Sequence, residues 1–162
     1  MSRKETSIFG LETITHYIEF CEEAVKQLET DQANLLFGFS AILALNHTSD
    51  WLRYKLTIEQ RKVLGVSSAN EANVKEHFEN KNSDLALVRS IANGFKHLKL
   101  ATNDTRKIEG YGTGPYDIGP YGKPYLLIDR GGDFEDKDRW VTGLSLCQNT
   151  LAFWNRELES IL

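Results

Sequence analysis

The chain has 162 residues, 41% hydrophobic and 26% charged, the balance of an ordinary water-soluble globular domain. That length can bury a core without metals or disulfides and predicts a single domain over residues 1–162. A net charge of −4 is too mild to demand a nucleic-acid or membrane partner, and the longest apolar run, Leu35 to Leu45, is about half a membrane span.

Residues 1–9 hold no apolar core of signal-peptide length and read as a frayed start. From Leu11 the apolar positions are Leu11, Ile14, Ile18, Cys21, Val25 and Leu28, spaced by three and four as on an amphipathic helix with a narrow seam. His16 lies nearly opposite that seam and reads as solvated. Thr30 and Asp31 then supply stop and start signals. The second helix, Asn34 to Lys55, is apolar all round over LLFGFSAILAL, which predicts a central helix surrounded by others. Its small residues Gly38, Ser40, Ala41 and Ala44 would let a neighbouring helix approach closely.

Thr57 to Val63 reads as one or two helical turns before a break at Gly65 to Ser68. Asn70 is placed to cap a short helix reaching about Asn80, in which His77 reads as exposed. Asn82, Ser83 and Asp84 supply a cap and a first-turn acid for the next helix, Leu85 to Leu100. Residues 53–107 carry eleven Lys or Arg against six Asp or Glu. Such a run is either a solvated mixed-charge surface or a weakly basic face able to meet a phosphate backbone such as RNA.

Residues 101–139 contain all three prolines and four of the six tyrosines, with GPY at Gly114 to Tyr116 and again at Gly119 to Tyr121. That density of Pro and Gly excludes a helix. Tyr125 to Ile128 reads as a short strand ending at the turn residues Asp129 to Asp133, with Ile108 to Tyr111 as its hairpin partner. Tyr111, Tyr116, Tyr121 and Tyr125 either pack the loop onto its own domain or stack on bases or a ligand. The last helix, about Asp138 to Leu162, carries the seam Leu144, Cys147, Leu151, Trp154, Leu158, Ile161. Cys21 and Cys147 both fall on apolar positions, which suits buried free thiols in a reducing cytoplasm better than a disulfide framework. The predicted architecture is therefore mostly α: an up-down bundle of four main helices with a small Gly/Pro/Tyr-rich β-hairpin inserted before the last.

Two polar sets stand beside the apolar pattern. Arg89, Asn93 and His97 fall at roughly 0°, 40° and 80° of one helical face, over about 12 Å of rise. A permanent cation, an amide and an imidazole so placed can bind a phosphate and move a proton, with Lys96 adding charge. The structural alternative pairs Arg89 with an acid of the first helix and uses Asn93 and His97 in helix contacts. His47 and Asp50, three residues apart, form either an acid–base dyad or a local hydrogen bond. With the two helices antiparallel, Asp50 comes near Arg89, and a buried ion pair is the simplest outcome. His47, Asp50 and His97 together make a weak metal-ligand set lacking the His-x-x-x-His or Glu-x-x-His spacing. No phosphate-cradling glycine loop or nucleophile elbow occurs, neither cysteine has the setting of a nucleophile, and no cofactor is implied.

LVRSIANGFKHLKL, a preceding helix with HTSDWL, and GPYDIGPYGKPYLLID before a Trp-containing last helix resemble small helical proteins of bacteria and phages that carry no assigned function. The likeness covers most of the chain and implies no activity. More distantly, Arg89 followed by Ser90 and by His97 on a bundle helix is similar to the HEPN family, helical bundles that are often metal-independent ribonucleases. Seven residues separate Arg89 from His97 here, where that family's motif has four to six. The resemblance implies His97 as general acid/base, Arg89 stabilising phosphate charge, RNA as substrate in a toxin or phage-defence setting, and a homodimer. Three functions follow as expectations: a cytoplasmic binding or interaction module whose polar sets hold helices together, a HEPN-like endoribonuclease, and a metal-dependent hydrolase using His47, Asp50 and His97.

Overall fold

The computed structural model describes residues 7–66, 70–97, 104–109, 114–131 and 136–162. The first seam becomes α1 (Ile14–Thr30), which buries Ile14, Ile18, Cys21, Val25 and Leu28 together with Tyr17 and Ala24. Its first turn is closed by Thr13, whose hydroxyl accepts the His16 backbone N–H at 3.1 Å. Helix α2 (Leu35–Lys55) starts at Asn34, whose side-chain oxygen accepts the N–H groups of Leu36 and Phe37. This long helix packs against α1 and against α4 (Glu71–Lys81), α5 (Ser83–His97) and α7 (Gly143–Leu158), the central place its composition predicts.

The encirclement stops short at the N-terminal half of α2. Leu35 and Leu36 are 65% and 67% exposed, and Phe39 is also exposed. The apolar run therefore emerges at the surface. Gly38 makes room for a strand rather than a helix, because a β-carbon there would collide with the Leu126 side chain.

The short helix α3 (Ile58–Val63) carries a capping box between Thr57 and Gln60 but buries none of its own residues. In α4, Asn70 accepts the Ala72 N–H as the sequence predicts. His77 departs from expectation: it is half-buried, its Nε2 lies 3.0 Å from the Leu64 carbonyl oxygen, and its ring meets Phe78 edge-on. For α5 the Asn82 side chain accepts the Asp84 N–H, and Leu85, Leu87, Val88, Ile91 and Ala92 are buried. Residues 98–100 of the expected helix lie outside the described residues.

A three-stranded antiparallel sheet in the order β1 (Asp104–Ile108), β2 (Tyr125–Asp129), β3 (Trp140–Thr142) precedes the last helix. The predicted strand Tyr125 to Ile128 is present, but its partner lies earlier than Ile108 to Tyr111: Ile108 pairs with Tyr125, and Asp104 with Asp129. An edge strand exposed along Asp104 to Lys107 tolerates the charges that make those residues read as surface loop. The last helix begins at Gly143 rather than near Asp138, because the single turn α6 (Asp136–Arg139) and then β3 intervene. The Thr142 hydroxyl caps its start by accepting the Ser145 N–H.

Alternation along β2 divides the sheet into two faces. Leu126 and Ile128, with Val141, join the helical core, where Trp154, Phe78 and Phe153 stack edge to face. Tyr125 and Leu127 form a second small core with Ile108, Ile118 and Trp140. Gly114 and Gly119, the leading residues of the two GPY triplets, both lie against the Tyr125 ring, where a β-carbon would clash. The repeat thus places two glycines on one aromatic ring.

Candidate functional site

Helices α2 and α5 run antiparallel: Phe39 near the start of α2 meets Phe95 near the end of α5, and Leu45, Asn46 and Ser49 line one small cavity together with Leu85, Val88 and Arg89. This orientation is the one that would bring Asp50 towards Arg89. The expected buried pair does not form, because α4 supplies both countercharges. Asp50 receives Lys75 Nζ on one carboxylate oxygen at 3.3 Å and faces His47 Nδ1 with the other at 3.0 Å. Arg89 Nε lies 3.0 Å from Glu79 Oε1. Lys75 and Glu79 are four apart on one face of α4, so a single polar ridge there serves both neighbouring helices.

Neither pair is deeply buried. The His47 side chain is 55% exposed and that of Arg89 45%, so water competes with both contacts. Asn93 is exposed on the same side of α5 as Arg89. The backbone at 97 closes α5, but the His97 side chain lies outside the described residues, as does Tyr111. Of the sequence-predicted set, the structure therefore brings together His47 and Asp50, and it keeps Arg89 apart from them. Among the described residues, no three His, Cys, Asp or Glu side chains gather as metal ligands.

Beneath the ion pairs is a cavity of about 20 Å³ bordered by Asn46, Ser49, Lys75, Glu79 and Arg89, with Trp154 and Phe78 on its apolar side. That volume holds about one water molecule. It has no space for a nucleotide.

Among the described residues, five of the eleven basic residues of 53–107 meet acids within the fold. Lys75 meets Asp50, Lys81 meets Glu157 of α7, and Arg89 meets Glu79; Arg106 and Lys107 lie against Asp104 and Glu109. Burial pushes both thiols up to about 12, with a Thr48 contact partly opposing the shift at Cys21. Neither is the thiolate a nucleophile needs at neutral pH. The tyrosines divide: Tyr125 is buried, whereas Tyr116 and Tyr121 are 97% and 82% exposed.

A polar network, of which the sequence reading places Asp129 and Arg130 in a turn, ties the sheet to α5. Arg139 grips the buried Asp129 through two hydrogen bonds of 2.9 and 2.8 Å, and Gly131 N–H adds a third. These contacts, the Arg139 bonds foremost, hold the Asp129 carboxyl below the usual carboxylate range against the opposing effect of burial. Next to it, Arg130 reaches Asp84 at the start of α5, 3.1 Å away. The signal available in sequence was the adjacency of Asp129 and Arg130 at a strand end. It fixes neither partner.

The described surface also carries apolar groups. Phe39 of α2 and Phe95 of α5 have ring centroids 4.4 Å apart, yet each is 37% exposed. Leu36 extends this patch along α2, and Phe20 of α1 is exposed on the same side as Tyr17, its ring neighbour. No helix among the described residues is long and apolar enough to cross a membrane. Comparison with family models, curated proteins and solved structures found no match for this chain.

Proposed function

We propose that this chain is a non-catalytic interaction module that meets its partner through the outer face of α2 where it joins α5, on a frame read as an up-down bundle of α1, α2, α5 and α7. The observation that carries the reading is the Phe39–Phe95 contact, an aromatic pair held in place but left more than one-third exposed beside an exposed Leu36. Contiguous apolar surface of this kind marks sites of association. The polar groups of α2, α4 and α5 act as helix-to-helix ties, since Asp50 and Arg89 each have their charge matched by α4.

Arg89 and Asn93 share an exposed face of α5, which favours a metal-independent ribonuclease as the second reading. The two readings separate in one assay. Purified wild type, Arg89→Ala and His97→Ala are incubated with end-labelled RNA, and their melting temperatures are recorded. The interaction module predicts intact RNA in all three samples. Cleavage by wild type that is lost in either variant at unchanged melting temperature would overturn it in favour of the ribonuclease.

A further inference from the structure

We infer that the small cavity between α2, α4, α5 and α7 is a hydration site. One water molecule there accepts the indole N–H of Trp154 and donates its own protons to Ser49 of α2 and Glu79 of α4.

Trp154 is 1% exposed, and its buried Nε1 has no hydrogen-bond partner among the described residues. A donor so placed is costly unless an acceptor reaches it, and folded interiors supply one from protein or from ordered water. Trp154 borders the cavity, whose properties select the acceptor. Its volume of about 20 Å³ admits one water and nothing larger. Its charges cancel, because Lys75 is matched by Asp50 and Arg89 by Glu79, so no net charge is left to hold a monatomic ion. Its lining includes groups that take protons: the buried Ser49 hydroxyl, and the Glu79 carboxylate, which has lone pairs beyond the one that Arg89 occupies. A water accepts from the indole and donates to both, which gives the three or so hydrogen bonds usual for a buried water. The competing destination for the N–H is the Phe78 ring, whose centroid lies 4.9 Å from that of Trp154. A bond to an aromatic face is the weaker one, and it would leave Ser49 without a polar partner in the cavity. The filled site joins α7 to α2 and α4 by polar contacts inside a core otherwise made of stacked rings.

Water–protein Overhauser spectra of the isotopically labelled full chain test this directly. The chain has three tryptophans, so Trp51→Phe and Trp140→Phe, both at partly exposed positions, assign the Trp154 indole signal by elimination while leaving Trp154 in place. The expected result is a cross-peak from the Trp154 indole proton to water with opposite signs in the laboratory and rotating frames, the mark of a water that tumbles with the protein. Ser49→Ala should keep that cross-peak, because Trp154 and Glu79 still hold the water and the cavity only grows. Loss of the cross-peak in Ser49→Ala would assign it to the Ser49 hydroxyl proton and overturn the inference. A wild-type indole proton with no water cross-peak, shifted upfield as over the face of Phe78, overturns it as well.

Discussion

Arg89 and Asp129 both make ion pairs, but their surroundings give those pairs different weights. Arg89 is half in water, so Arg89→Ala should cost less than about 1 kcal/mol in a denaturant titration, far from the several kcal/mol of a severed buried pair. Asp129 is buried while Arg139 keeps some contact with water, and Asp129→Asn should cost about 1–2 kcal/mol near pH 7. Because the folded carboxyl is held below its ordinary range, that advantage is complete above the unfolded pKa of about 4. It disappears as pH falls through the folded value. Urea titrations of wild type and Asp129→Asn should therefore differ at pH 7 and converge in acid; a constant gap would show that the carboxylate is not the cause. Asp50 and Arg89 were legible in sequence as groups needing partners beside a core. Lys75 and Glu79 were not, because periodicity tells which face of a helix is apolar without telling which helix lies across from it.

At the scale of elements, the best-read pieces are those with a period and a cap. Ile14 to Leu28 declares α1 by its three-and-four spacing, and Asn34, Asn70 and Asn82 mark helix starts that the structure keeps. The sheet was harder. Asp104 to Lys107 is charged because it is an edge, and Trp140 to Thr142 is too short to show alternation before α7 begins. The loop from 114 to 124 gained its meaning only from Tyr125, on which Gly114 and Gly119 both rest. Gly119→Ala should overpack that ring and cost about 1–3 kcal/mol, whereas Tyr116→Ala should stay within about 0.5 kcal/mol of wild type. Equal thermal shifts for the two would contradict the assignment of Tyr125 as the anchor of the loop.

For the whole molecule, charged and apolar side chains occupy different places. Charged side chains link α2, α4, α5 and α7 around a core dominated by Trp154, Phe78 and Phe153, while the apolar start of α2 faces outward. The mostly helical class and the centrality of α2 followed from composition and length. The exposed half of α2 did not, since an all-round apolar run does not tell on which side a covering element is missing. Incubation of purified wild type, Arg89→Ala and Asn93→Ala with end-labelled RNA, with melting temperatures recorded alongside, tests the account most directly. It predicts intact RNA in all three samples. Cleavage by the wild type that either variant loses at unchanged melting temperature would contradict it.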